Sequence, residues 1–110
     1  MYHQTENIGD NGNQLVSWLN TSNDRLVAVI FTAQWSGSSS ILRSYMGKIA
    51  RELPDMEFIW IDVDENPRLS SDLGINQIPS VILLRNQEVV DHIDGMISRS
   101  KFSARMQKFL

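Results

Sequence analysis

Trp35-Ser36-Gly37-Ser38-Ser39 is a short segment that separates two apolar patterns of different period. Residues 26–32 before it are apolar and β-branched, which is typical of a strand buried on both faces. Residues 38–53 after it place apolar side chains at helical spacing, and Pro54 ends that helix because proline has no amide hydrogen. The pattern therefore predicts a strand, an exposed turn and a helix, with the turn at the positive end of the helix dipole.

The other segments alternate between helix and strand patterns. The expected elements are a helix around Leu15, Trp18 and Leu19, a strand over 56–63, a short helix from Asn66 to Gly74, a hairpin of 80–84 and 88–93 around Arg85-Asn86-Gln87, and a last helix capped by Ser98 or Ser100. This order predicts one α/β domain over 11–110, with a mixed sheet flanked by helices on both faces. Residues 1–10 are polar, and we expect them to form a flexible N-terminal arm.

Composition limits the possible functions. The 110 residues carry a net charge of −3 with scattered basic residues, so we expect no nucleic-acid partner. No apolar run is long enough to cross a bilayer, so we expect no membrane partner. The N-terminus lacks a secretory signal pattern, which predicts a cytoplasmic location. The chain contains no cysteine, which excludes disulfides and thiolate nucleophiles.

The segment from Trp35 to Ser39 resembles the Trp-Cys-Gly-Pro-Cys signature of the thioredoxin family. Trp35 and Gly37 match, whereas Ser36 and Ser39 stand where the family has its two cysteines. The resemblance continues, in order and spacing, through the motifs at residues 64–67, 73–75, 78–80 and 95. It implies a thioredoxin fold for nearly the whole chain, although function depends on the site and not on the fold.

Two explanations account for the missing sulfur atoms: natural loss of the cysteines, or mutation of an active oxidoreductase. The resemblance implies a buried aspartate at Ile30 and a buried lysine at Trp60 in active members. Both positions are apolar here, and a cysteine-to-serine change alone would leave the acid and the lysine in place. This observation favours natural loss, because an unused buried ion pair can be replaced by apolar groups without loss of stability.

Other chemistries at this turn find little support in the sequence. Ser36 would need a nearby base to act as a nucleophile, and the histidines, His3 and His92, are not expected beside it. Residues 62–66 resemble the start of a calcium loop, but proline and leucine occupy its glycine and glutamate positions. We therefore predict no catalytic residue, no metal site and no cofactor, and we expect the serines to cap helix amides.

The resemblance also implies a cis peptide bond before Pro79, facing the serine turn. In the family, the residue before this proline offers its backbone to an extended peptide, as in strand addition. Retention of Pro79 has two explanations that stay open here: a binding role, or a requirement of the fold alone. The residues expected to form the partner-binding face are Trp35, Gly37, Ile75, Ile78, Pro79, Gly95 and Met96.

The sequence thus predicts a redox-inactive thioredoxin-like domain that binds a protein or an extended peptide through the former active-site face. Family members without cysteines commonly serve as adaptor or chaperone-like modules, so the resemblance implies this class. The alternative is a thioredoxin-like disulfide oxidoreductase whose cysteines were changed to serine. A third hypothesis is a structural subunit that dimerises through the face around Trp35; the sequence does not set the oligomeric state.

Overall fold

The computed structural model describes residues 3–7, through their main chain, and residues 14–110. Within these ranges the helices are α1 Gln14–Thr21, α2 Ser39–Glu52, α3 Pro67–Asp72 and α4 Arg99–Gln107. The strands are β1 His3–Asn7, β2 Val27–Thr32, β3 Glu57–Asp62, β4 Ser80–Arg85 and β5 Glu88–Asp94. None of these helices has the length and apolarity needed to cross a membrane.

The described strands form one mixed sheet in the order β1-β3-β2-β4-β5. β2 lies at its centre, parallel to β3 and antiparallel to β4. Every residue of β2 is buried, as its continuous apolar sequence predicts for a strand covered on both faces. The predicted order of elements from α1 to α4 is confirmed, as is the mixed sheet flanked by helices on both faces.

Helices cover both faces of the sheet, and each face has its own apolar core. On one face, Leu42 and Met46 of α2 and Phe102 of α4 pack against alternate residues of the strands, such as Ile30. On the other face, Trp18 of α1 packs with residues such as Phe31. Successive residues of a strand point to opposite faces, so the neighbouring residues Ile30 and Phe31 belong to different cores.

The N-terminal segment differs from the expectation of a flexible arm over 1–10. His3–Asn7 form strand β1, which pairs in parallel with β3, from His3 opposite Glu57 to Asn7 opposite Ile61. Any residue other than proline can form the main-chain hydrogen bonds of a sheet, so polar residues can form an edge strand. Such a strand lacks the alternation of apolar and polar residues from which a strand is predicted in a sequence. The sequence Asn11-Gly12-Asn13 before α1 also predicts a turn, and these residues lie outside the described part of the structure.

Helix α3 ends as its sequence predicts but begins differently. Gly74 has φ of +71°, its N–H donates to the Ser71 carbonyl at 3.0 Å, and the N–H of Ile75 donates to the Ser70 carbonyl at 2.9 Å. This pair of bonds is a Schellman motif, for which glycine is the favoured residue. Asn66 occupies the N-cap position, but its side chain donates to the Asp62 carbonyl at 2.9 Å and makes no capping bond.

A single serine holds the turn of the β4–β5 hairpin. The carbonyl of Ser22 accepts from the Asn86 N–H at 2.8 Å and from Arg85 Nη1 at 2.9 Å. Its hydroxyl accepts from the Gln87 N–H at 2.9 Å. Asn86 and Gln87 have φ of +53° and +66°, the left-handed pair that a two-residue hairpin turn requires. The buried Ser22 therefore stabilises a strained turn that contains no glycine.

An ion pair attaches α4 to the edge strand β5. Arg105 donates from Nε to Asp91 Oδ2 at 2.8 Å and from Nη2 to Asp91 Oδ1 at 2.6 Å. These bonds lower the pKa of the Asp91 carboxyl below its ordinary value and raise the pKa of the Arg105 guanidinium. Such a two-point contact is among the stronger side-chain interactions of a partly exposed surface.

We predict that Asp91→Asn lowers the free energy of unfolding by about 1 kcal/mol at neutral pH, as expected for a partly exposed pair. Because the pKa of Asp91 is lower in the folded state, its contribution is fully present above the ordinary aspartate pKa of about 3.9. It is lost as the pH falls through the folded-state value. Denaturant titrations from pH 7 to pH 2 should show the difference between wild type and variant shrinking on acidification.

Asp55→Asn, which neutralises an exposed carboxylate between α2 and β3, serves as the matched control and should give no such convergence. A difference between wild type and Asp91→Asn that stayed constant down to pH 2 would contradict the assigned role of the ion pair.

Candidate functional site

Four connecting segments meet at the end of the sheet where the parallel strands β2 and β3 finish. β2 and β3 are parallel and end together, with Thr32 opposite Asp62. β4 begins beside the end of β2, and β5 ends beside the start of β4, with Ser80 opposite Asp94. The segments 33–38, 62–65, 75–79 and 94–97 are therefore neighbours, and we call their common surface the site edge. The partner-binding residues predicted from the sequence belong to three of these segments.

The serine turn is closed by its own hydrogen bonds. The N–H of Ser39 donates to the Ser36 carbonyl at 3.2 Å, and the Ser39 hydroxyl donates to the Ala33 carbonyl at 3.0 Å. The hydroxyls of Ser36 and Ser38 lie 3.0 Å apart. Ser38 is the N-cap residue of α2 but makes no side-chain capping bond. The expectation that it caps helix amides is therefore wrong, because its hydroxyl bonds to Ser36 instead.

Ile30 and Trp60, where the resemblance implies an aspartate and a lysine, lie in the core. Ile30 is fully buried on β2, and Trp60 is buried opposite it on β3. Both belong to the core cluster beneath α2. The guanidinium carbon of Arg43 lies 4.3 Å from the centroid of the Trp60 ring, a cation–π geometry. Neither Ile30 nor Trp60 can take up or release a proton, so these two positions offer no acid or base to the turn.

Trp35 is the most exposed large apolar residue that the structure describes, with 70% of its surface accessible. Its indole N–H donates to Asp64 Oδ2 at 2.9 Å. Asp64 is itself positioned by its main-chain N–H, which donates to Asp62 Oδ1 at 2.8 Å. The indole is thus fixed in orientation while its ring stays open to solvent. Asp64 is not among the site residues predicted from the sequence, although the expected proximity of the strand ends at residues 32 and 62 could have suggested it.

The segment before β4 is held by hydrogen bonds to the end of β5. The Ile78–Pro79 peptide bond is cis, as the resemblance implies. The N–H of Gly95 donates to the Pro79 carbonyl at 2.7 Å. Gly95 has φ of +78°, and a β-carbon at this position would lie 2.8 Å from Gln77 Nε2. The positive φ favours glycine here, whereas the exposed Gln77 side chain could move away from a β-carbon.

The buried Ser80 strengthens this contact. Its hydroxyl lies 2.6 Å from the Gln77 carbonyl oxygen and 3.0 Å from Asp94 Oδ1. Asp94 Oδ1 also lies 3.0 Å from His92 Nε2. The end of β5 and the segment before β4 therefore form one hydrogen-bonded unit.

The predicted apolar face is less continuous than the sequence suggests. Ile75 and Ile78 are half-buried against the core beneath α1 and α3, whereas Met96 packs on the opposite core. Pro79 is buried, so its ring does not present an open surface. Ile41 of α2, which the helical pattern assigned to the buried face, is 49% exposed. Its helical neighbours Ser44 and Lys48 are polar, a signal that could have marked it as a surface residue.

The described side chains contain no arrangement typical of hydrolysis or metal binding. The Ser36 hydroxyl bonds to Ser38, and the imidazole of His92 is held by Asp94. His3 lies in β1, and its side chain is outside the described part of the structure. The carboxylate of Asp62 accepts main-chain N–H groups of its own loop. Among residues 14–110, no group of His, Asp and Glu residues could hold a metal ion.

Comparisons with known proteins agree with this geometry. The family model "Thioredoxin" matches residues 10–108. The chain is 28% identical over 90 residues to a thioredoxin of Porphyra purpurea, a match that covers 81% of this chain and 84% of that protein. It is 30% identical over 71 residues to thioredoxin H-type 2 of Nicotiana tabacum, covering 64% of this chain. That match spans 60% of the tobacco protein, and a match to thioredoxin H1 of Arabidopsis thaliana spans 61% of its length.

Solved structures give the same result. Reduced Schistosoma mansoni thioredoxin pre-protein superposes with a TM-score of 0.85 at 27% identity, covering 98% of this chain and 99% of the other. A mutant thioredoxin from Halobacterium salinarum has a TM-score of 0.82 at 24% identity, covering 97% and 90%, and supports the fold. Because the family model matches residues 10–108, almost the full length, the chain belongs to the thioredoxin family.

Proposed function

We propose that this domain binds an extended segment of a partner protein at the site edge and carries out no thiol–disulfide exchange. The observation that carries the proposal is the state of Trp35, a large aromatic side chain that is exposed yet held in one orientation by Asp64. Exposed aromatic residues with little conformational freedom to lose are typical anchors of protein interfaces. A role as an adaptor or chaperone-like module accords with this surface.

The main chain beside Trp35 supports the same function. Within the described residues, neither the N–H nor the carbonyl of Ile78 makes a hydrogen bond. The segment that contains Ile78 is held in place by the Gly95–Pro79 and Ser80–Gln77 bonds. A fixed main-chain donor and acceptor at the start of β4 offer an extended peptide the bonds that strand addition uses.

The absence of sulfur and of buried ionisable groups argues against an oxidoreductase. Exchange requires a thiolate to attack a disulfide, and the chain contains no cysteine. Ile30 and Trp60 form part of the packed core beneath the turn. Restoring a proton relay would therefore require substitutions inside the core as well as at Ser36 and Ser39. This arrangement favours a natural loss of activity over an isolated replacement of two cysteines.

We predict that Trp35→Ala weakens peptide binding by about 2 kcal/mol, the loss expected for an interface anchor. Peptides selected from a displayed random library on the wild-type domain would be titrated calorimetrically against wild type and variant. Val89→Ala is the matched control, because Val89 is also exposed, at 57%, but lies at the opposite end of β5.

The control variant should bind like the wild type, and both variants should unfold at nearly the wild-type denaturant concentration. Selected peptides that bound the wild type and Trp35→Ala with equal affinity would remove the site edge from consideration.

We predict that the domain does not accelerate insulin disulfide reduction by dithiothreitol. The double variant Ser36→Cys/Ser39→Cys should form a disulfide, because the closed turn brings residues 36 and 39 together at the start of α2. It should reduce insulin more slowly than an ordinary thioredoxin assayed beside it, because Ile30 and Trp60 supply no proton. A double variant as fast as that thioredoxin would show that the buried acid is unnecessary, and turnover by the wild type would refute the proposed loss of exchange activity.

A further inference from the structure

We propose that the partner segment carries an arginine or lysine side chain that binds against the Trp35 ring and the carboxylate of Asp64. The inference rests on the proposed function and names the chemistry of the partner. The charged residues at the site edge are all acidic. The segments 33–38, 62–65, 75–79 and 94–97 contain four carboxylates, from Asp62, Asp64, Glu65 and Asp94, and no lysine or arginine, although the chain has ten basic residues.

The carboxylates are not equivalent. Asp62 accepts the N–H groups of Asp64 and Glu65, and Asp94 is bonded to Ser80 and His92. Asp64 uses Oδ2 for the indole N–H of Trp35, and among the described residues its Oδ1 has no hydrogen-bond partner. Asp64 and Glu65 are both exposed. Asp64 is therefore the exposed carboxylate that the structure holds directly against the indole of Trp35.

An indole beside a carboxylate is a good site for a cation. The face of the tryptophan ring attracts positive charge, and a planar guanidinium can stack on it while donating to a carboxylate. Because the Trp35 N–H is bonded to Asp64, the ring and the carboxylate are held side by side before any ligand arrives. A cation bound there makes both interactions at once. A neutral or acidic side chain at the same place makes neither.

His92 and Arg43 each have a partner other than Trp35 and Asp64. The imidazole of His92 faces Asp94 Oδ1 at the end of β5. Arg43 stacks on Trp60, which belongs to the core beneath α2. Asp64, bonded to the Trp35 N–H, places a negative charge at the edge of the exposed ring, and this charge favours the approach of a basic segment.

The test uses three short capped peptides of valine, threonine and serine that differ at one central position, which is arginine, citrulline or glutamate. Citrulline keeps the shape of arginine without its charge. For the wild type at low salt we expect the arginine peptide to bind about tenfold more tightly than the citrulline peptide, the sum of an exposed cation–π contact and a surface ion pair. The glutamate peptide should bind most weakly.

Two variants test whether the preference for arginine over citrulline depends on the charge of Asp64. Asp64→Asn keeps an acceptor for the Trp35 N–H but removes the charge, and it should reduce the preference for arginine over citrulline to about twofold, the part left by the cation–π contact. Asp55→Asn neutralises an exposed carboxylate at the opposite end of the sheet and should keep the tenfold preference. Raising the salt concentration to about 0.5 M should reduce the preference of the wild type, because exposed charges are screened.

The results of these titrations distinguish the cation site at Asp64 from peptide binding at the site edge. If the arginine and citrulline peptides bind the wild type equally while Trp35→Ala weakens both, the cation site is refuted and peptide binding at the site edge stands. If Asp64→Asn keeps the tenfold preference, the assignment to Asp64 is wrong. If none of the peptides binds the wild type at millimolar concentration, or if Trp35→Ala binds them as well as the wild type does, both proposals fail.

Discussion

Burial of β2 on both faces is the constraint from which the rest of the molecule follows. A strand covered on both sides must be apolar throughout, must satisfy its main chain within the sheet, and can leave the core only at its ends. β2 meets these conditions between β3 and β4, and its carboxyl end delivers the chain to the serine turn. The same pairing brings the ends of β3 and β5 and the start of β4 to that edge. The strand order therefore determines which segments form the site edge, whatever side chains they carry.

Features that depend on apolar periodicity could be read from the sequence, and features that depend on particular hydrogen bonds could not. β2, α2 and the β4–β5 hairpin carry strong patterns, and the structure places them where the residues predict. β1 has no such pattern, because an edge strand needs only main-chain partners. At the site, Trp35 and the proline segment were predicted from the resemblance. The bond between Trp35 and Asp64 was not, since it joins residues 29 positions apart through a single pair of atoms.

The turn and the core beneath it contain no group suited to thiol–disulfide exchange. The hydroxyls of Ser36 and Ser38 bond to each other, and the hydroxyl of Ser39 bonds to the main chain, so these serines interact within the turn. Beneath it, Ile30 and Trp60 form part of a packed core. A site built for proton and electron transfer needs groups whose charge can vary, and none remains at these positions. What persists is the shape of the edge, with an exposed ring, a fixed main-chain segment and a cluster of carboxylates.

The three hydrogen bonds that join Ser22 to the turn of the β4–β5 hairpin have a consequence at the far end of the sheet. They hold residues 85, 86 and 87 and so determine where the chain reverses between β4 and β5. Side chains alternate along a strand, so a slip of one residue would turn Ile93 out of the core and Asp94 into it. The same slip would displace Gly95 from the Pro79 carbonyl. Ser22 therefore helps to fix the strand register, so a residue at one end of the sheet affects the geometry of the site edge at the other end.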